Sequence, residues 1–339
     1  MENNSKTPER KWEKYAGPKK PSMKRRLEGY NYLDRGIYMI TMAIEGRKPL
    51  LGQLAGNPDI KEGDNAPHII LSTLGEKIRE CWFSIQAFHP PIEVMKLCIM
   101  PDHIHGILFV HERIEKHLGH IINGFKIGCR KAAKTLGTIP YTEAPPQSTK
   151  HPTTGLLWEP GYNDRILLHK GQLQRMFAYL DDNPRRLLMK RQHPEFFTQL
   201  GTLSVVGIKM QALGNRFLLD NPMKTQVQCS RHLYPQEIEQ KKTTMLEEAE
   251  ADGAVLVSPC ISPGEQAIAT AAMEKGIPLI VLLLNGLSPF FKPKPRYMEA
   301  CAEGRLLILA PYPYQNEKIT NMRQRCLRLN DMAAEICKA

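Results

Sequence analysis

The pattern of apolar and polar positions divides the chain into two stretches of different grammar. In the first, residues 37–44 (IYMITMAI) form an apolar run that predicts a buried strand, punctuated by Gly46 and Pro49. Residues 73–85 (TLGEKIRECWFSI) place apolar side chains at helical spacing. Residues 94–100 and 103–111 read as two strands separated by the turn signal Pro101-Asp102, and residues 118–136 as a second helix. A loop rich in proline and threonine spans 137–154, extended pieces follow at 156–159 and 164–168, and a helix begins near Gly171. The order strand, helix, strand, strand, helix, strand, helix predicts an α+β, ferredoxin-like sheet of the split βαβ type.

From about Gly201 the pattern changes to strand alternating with helix. Strands are predicted at 203–208, 254–257, 278–284 and 306–309, and helices at 235–251, 263–275 and 317–337. Short apolar runs separated by helices predict a Rossmann-like α/β domain with a parallel, doubly wound sheet. Ser262, Pro263 and Glu265 mark one helix start, with an S-x-x-E capping box. A strand end, a loop and this helix N-terminus fall together at 253–265, an arrangement that favours an anion such as phosphate, although no G-x-G-x-x-G is present. The expected organisation is a flexible basic arm (1–29), a first domain (30–200) and an α/β accessory domain (201–339).

Composition adds a partner class. The 339 residues are 42% hydrophobic and 24% charged, enough for two cores. No run is long and apolar enough to span a bilayer, and the N-terminus lacks the apolar segment of a signal peptide, so a cytoplasmic protein with no membrane partner is expected. The eight cysteines are scattered without a C-x-x-C pair, which argues against structural zinc and favours free thiols. A net charge of +11 suits a polyanionic partner. Lys24, Arg25 and Arg26 in the arm, and Lys126, Arg130, Lys131 and Lys134 on the helix predicted at 118–136, are candidate phosphate contacts. An exposed solubilising face accounts for the helix residues equally well.

The candidate chemistry lies in two short segments. In the run 100–110 (MPDHIHGILFV), His103 and His105 are two apart on a strand and project from one face, where two imidazoles can share a metal ion. Histidines two apart on a strand also occur without a metal. In the run 173–184 (LQRMFAYLDDNP), Leu173, Met176, Phe177 and Leu180 form the packed face of a helix. Tyr179 and Asn183 share another side, and Pro184 places Asn183 where the helix is expected to end. Tyr179 as a half-buried helix tyrosine and Asn183 as a stop would fit the same pattern.

Together these segments resemble the single-tyrosine transposases of the HUH nuclease superfamily, and the REP-associated kind most closely. The family's M-P-[ND]-H-x-H strand matches His103 and His105, and its helix ending Y-[IL]-x-x-N-P matches Tyr179 and Asn183. Residues 158–166 (WEPGYNDRI) resemble the family's W-x-x-[GS]-[FY]-x-D-[RH]-[IV] strand. The resemblance covers roughly residues 29–199; the 137–154 loop and the second domain depart from the basic family pattern. It implies an HUH nuclease domain in which His103, His105 and Asn183 hold a divalent metal, Mg²⁺ or Mn²⁺, since no thiolate is among the ligands. It also implies Tyr179 as nucleophile, a 5′-phosphotyrosine intermediate and a free 3′-OH, with single-stranded or hairpin DNA as substrate. Tyr162, on the strand motif, is the rival nucleophile. Some relatives exchange the tyrosine helix within a homodimer and others act as monomers, so both arrangements stay open. A DNA-binding regulator that keeps the fold without turnover is the alternative to the enzyme.

Overall fold

The computed structural model describes residues 27, 29–138 and 157–339. Lys24, Arg25 and Arg26, and most of the proline- and threonine-rich loop, lie outside the described residues. The chain divides into two compact units, up to Leu188 and from Met189 onward.

The first unit is built on a four-stranded antiparallel sheet of β1 (Gly36–Ala43), β4 (Ile92–Met100), β5 (His103–Val110) and β6 (Asn163–Ile166), in the order β4-β5-β1-β6. With α1 (Thr73–Phe88) between β1 and β4 and α2 (Leu118–Thr135) between β5 and β6, this is the split βαβ arrangement. A short pair, β2 (Gly52–Ala55) and β3 (His68–Leu71), stands apart as its own two-stranded sheet.

The two-residue period of the strands decides what each face meets. On β1, Tyr38, Ile40 and Met42 join the main core, where α1 contributes Leu74, Ile78 and Trp82 and α2 contributes Ile122, Phe125 and Cys129. Ile37 and Met39 point to the other face, into a smaller cluster with Ile107 of β5 and with Leu173, Met176, Phe177 and Leu180 of α3 (Gln172–Gln192). Both crossover helices therefore cover one face, and α3 covers the opposite one. Gly106 shows how closely α1 docks: a Cβ there would lie 2.1 Å from the Trp82 ring.

The helix α3 does not end at Asn183. It continues through Pro184 to Gln192. Proline removes one backbone donor and disfavours a helical residue before it. Tertiary contacts hold the continuation: Arg185 Nε donates to Pro58 O at 2.8 Å, and Arg185 and Arg186 each lie 3.7 Å from Asp182.

In the second unit, α4 (Pro194–Phe197) leads into a six-stranded sheet ordered β7-β8-β12-β11-β10-β9. Its strands are β7 (Leu200–Val205), β8 (Ile208–Gly214), β9 (Lys224–Gln226), β10 (Val255–Ser258), β11 (Leu279–Leu282) and β12 (Leu306–Ala310). The sheet is mixed. The strands β9 to β12 run parallel in sequence order, while β8 pairs antiparallel with β12 and β7 antiparallel with β8. The single strand expected at 203–208 is in fact the turn of a hairpin. Val206 and Gly207 both have positive φ (44° and 77°), the backbone hand that a two-residue hairpin turn requires.

The helices of this unit are α5 (Pro235–Asp252), α6 (Pro263–Lys275), α7 (Pro295–Ala302) and α8 (Met322–Lys338). The first three pack on one face, through residues such as Leu246, Ile268 and Cys301, and α8 covers the other with Leu329, Met332 and Ile336. The expected double winding is thus replaced by winding in one direction. Each crossover steps to the next neighbouring strand, so right-handed connections drop their helices on the same side.

Candidate active site

The strand β5 starts directly after the Pro101-Asp102 turn, so His103 and His105 stand at one end of the sheet. Their ring centroids are 4.8 Å apart with planes at 85°. Each ring is anchored through Nδ1. The His103 Nδ1 lies 2.6 Å from Asp102 Oδ1, and Asp102 is itself 3.5 Å from Arg47. Burial raises the Asp102 carboxyl, but the hydrogen bond and charge of His103, with Arg47, outweigh it and hold the group below its ordinary value. Because a carboxylate only accepts, Nδ1 of His103 carries the proton and Nε2 is the remaining ring nitrogen.

The His105 Nδ1 lies 2.7 Å from Thr41 Oγ1. Register explains the contact, since Thr41 on β1 and Cys98 on β4 are the residues directly opposite His105. His105 is only 4% exposed.

The helix α3 brings the tyrosine. Its apolar stripe packs on this face of the sheet, and an ion pair of Lys96 with Asp181 at 2.5 Å fixes it to β4. Tyr179 then lies 6.0 Å from His105, ring centroid to ring centroid, within the same chain. Asn183 follows one turn on and is 8% exposed. Burial pushes the nearby Cys98 thiol up to about 11, with the Asn183 amide acting in the opposite direction. Arg186 lies one further turn along, 6% exposed, with its guanidinium carbon 5.8 Å from the Tyr179 ring centroid.

Asn183 and Arg186 are buried polar residues on a helix whose packed stripe, Leu173, Met176, Phe177 and Leu180, is apolar. Polar groups at buried helix positions depart from the local pattern, and such departures concentrate at functional sites. The sequence displayed that spacing for Asn183, and Arg186 extends it. Thr41 and Cys98 carry no comparable signal in the sequence, because only strand register brings them to His105.

The other sequence-derived candidates fall elsewhere. Tyr162 is 8% exposed and packs in the main core on the α1–α2 side, away from the histidine face. Lys126, Arg130, Lys131 and Lys134 are on α2, which covers that same opposite side. The Lys126 ammonium donates to the carbonyls of Glu159 (2.9 Å) and Gly161, and burial lowers it to about 8. Its ammonium thus ties α2 to the segment that leads into β6. Lys131 and Lys134 are exposed but do not border the site.

Among the described residues, no group of three or more His, Cys, Asp and Glu side chains is placed to hold a metal. Two imidazoles anchored through Nδ1, with an amide close by, nonetheless fit a metal site. A carboxylate or hydroxyl on the far ring nitrogen is the usual way such ligands are oriented. Also among the described residues, no helix is long and apolar enough to cross a membrane.

No protein-family model matches the chain. The chain is 23% identical over 164 residues to an uncharacterized protein of Haemophilus influenzae, a match covering 47% of this chain and 86% of the relative. Among solved structures it is similar to a REP-associated tyrosine transposase bound to a REP hairpin, at 14% identity and TM-score 0.31, covering 47% of this chain and 72% of the other. It is also similar to a candidate transposase of Deinococcus radiodurans, at 14% identity and TM-score 0.27, covering 46% and 95%.

Proposed function

We propose that the chain is a single-tyrosine HUH transposase that nicks single-stranded DNA and transfers the strand through a covalent 5′-phosphotyrosine. The observation that carries this reading is the meeting of Tyr179 with the anchored pair His103 and His105 on one sheet face of one chain. The motif order along residues 29–199 supports it independently.

In the first step the Tyr179 Oη forms a bond to the scissile phosphorus while the bond from phosphorus to the 3′-oxygen breaks. The phenolic proton passes to water, and the leaving 3′-oxygen takes a proton to become a free 3′-OH. Attack by a 3′-OH on the phosphotyrosyl bond reverses these changes and joins the strand, so the bond energy is kept without ATP. A phenol ordinarily ionises near pH 10 and is a weak nucleophile at neutral pH. A divalent ion, Mg²⁺ or Mn²⁺, held by His103, His105 and Asn183 would polarise the phosphate and stabilise the leaving oxygen. Arg186 holds positive charge beside the Tyr179 ring, where negative charge passes during attack. Thr41 and Asp102 orient the two imidazoles.

The test incubates the protein with hairpin-bearing single-stranded DNA, labelled at the 5′ or the 3′ end, in the presence of Mn²⁺. A protein–DNA adduct that survives denaturation, is lost in Tyr179→Phe and persists in Tyr162→Phe is expected. Absence of any adduct over a broad panel of hairpins would sink the proposal in favour of a regulator without turnover. Cleavage without an adduct would assign a hydrolase.

A further inference from the structure

The second unit carries an uneven distribution of charge between the two edges of its parallel strands. Four loops leave the C-terminal ends of β9 to β12, at 227–234, 259–262, 283–294 and 311–321. They hold the cations Arg231, Lys292, Lys294 and Lys318 against the single carboxylate Glu317. The loops at the opposite edge, 215–223, 253–254, 276–278 and 303–305, are balanced, with Arg216 and Arg305 against Asp220 and Glu303. There Arg305 and Glu303 are paired with each other.

Aromatic exposure follows the same division. Phe290 is 88% exposed, Tyr234 74% and Tyr314 44%, and all three belong to the C-terminal-edge loops. The balanced edge has one exposed aromatic, Phe217.

The loops that present these rings are held in place. Asn285 Nδ2 donates to Gln315 O at 2.8 Å, and Gln315 N donates to Asn285 Oδ1 at 3.1 Å, lacing the third loop to the fourth. Arg325 of α8 donates to Leu284 O and Gln315 Oε1, both at 3.1 Å, with its guanidinium 4.5 Å from the Tyr312 ring centroid. Gly286 allows the close approach, since a Cβ there would lie 2.2 Å from Tyr314 N.

We infer that the C-terminal edge of the second unit binds single-stranded DNA, with Phe290 and Tyr314 stacking on bases and Lys292, Lys294 and Lys318 contacting phosphates. Stacking selects single strands because a duplex hides its base faces, and it tolerates any sequence because every base has one. The helix N-terminus of α6 is left out of the inference, because its own Glu265 carboxylate already accepts from Ile261 N and Ser262 N there. The inference does not depend on the chemistry of Tyr179, and the full-length Tyr179→Phe protein is used so that binding is measured without covalent capture.

The experiment has two arms. In the first, a dT oligonucleotide carrying 5-iodouracil is photo-crosslinked to the full-length protein and the peptides are mapped. Adducts within 283–294 or 311–321 are expected; adducts confined to other segments would overturn the inference. In the second, fluorescence anisotropy follows a fluorescein-labelled dT oligonucleotide and a mixed-sequence duplex. Phe290→Ala with Tyr314→Ala should weaken the dT complex about 5-fold or more per ring removed, with a smaller effect on duplex. Lys292→Glu with Lys294→Glu should weaken both and flatten the salt dependence by about two in slope. Phe217→Ala at the balanced edge should change neither. Unchanged dT binding in both edge variants, or equal loss in Phe217→Ala, would overturn the assignment.

Discussion

Both units bury polar side chains on a helix, yet they treat them in opposite ways. On α6 the buried Glu265 accepts from Ile261 N at 2.7 Å and Ser262 N at 3.2 Å, with Cys229 N more distant at 3.5 Å. Ser262 in turn accepts from Glu265 N at 3.1 Å. The negative group that such a helix end attracts is therefore its own carboxylate, and the phosphate site expected from the sequence is already filled from within. On α3 the buried Asn183 and Arg186 share the helix with Tyr179, and the Arg186 guanidinium lies 5.8 Å from its ring.

Four variants, one of them double, test this contrast. The largest effect is expected from Tyr179→Phe, which should reduce adduct formation more than about 1,000-fold while leaving thermal unfolding unchanged, because only a hydroxyl is removed. A comparable loss of stability would instead mark Tyr179 as a packing residue. Glu265→Ala should do the reverse. Stranding buried amides should cost about 2–4 kcal/mol of unfolding free energy, read from urea denaturation, with adduct formation retained wherever the protein is folded.

Thr41→Val sits between these cases. Loss of the partner on His105 Nδ1 should lower the nicking rate about 10–100-fold and raise the Mn²⁺ concentration needed, with Thr41→Ser restoring both. An unaltered Mn²⁺ titration would remove Thr41 from the site. The smallest effect is expected from Lys131→Ala with Lys134→Ala. On the side of the sheet away from the histidines, these should change the initial nicking rate by less than about 2-fold. A larger loss would restore α2 as a substrate contact.

Much of the first unit was legible from the pattern alone. The strands predicted at 37–44, 94–100 and 103–111 and the helices at 73–85 and 118–136 match β1, β4, β5, α1 and α2 to within a few residues. The errors have specific causes. Pro184 suggests a helix end because its local preference is strong, but the contacts of Arg185 and Arg186 beyond it carry α3 onward. Val206 hides a hairpin turn because a β-branched residue at positive φ gives no turn signal. The helix α7 was missed because Pro295–Ala302 spans too few residues for periodicity to register.

The sequence by itself determined which residues share a side: His103 with His105 through the strand period, and Tyr179 with Asn183 through the helical one. Periodicity is a local property and says nothing about what each side meets. Tertiary structure alone decided that α3, with Tyr179, covers the histidine face, while α2, with Lys126, and the core residue Tyr162 lie on the other. Antiparallel register, acting between residues 64 positions apart, placed Thr41 against His105. Those choices follow from packing whole apolar faces and pairing whole strands, and no short stretch of sequence contains them.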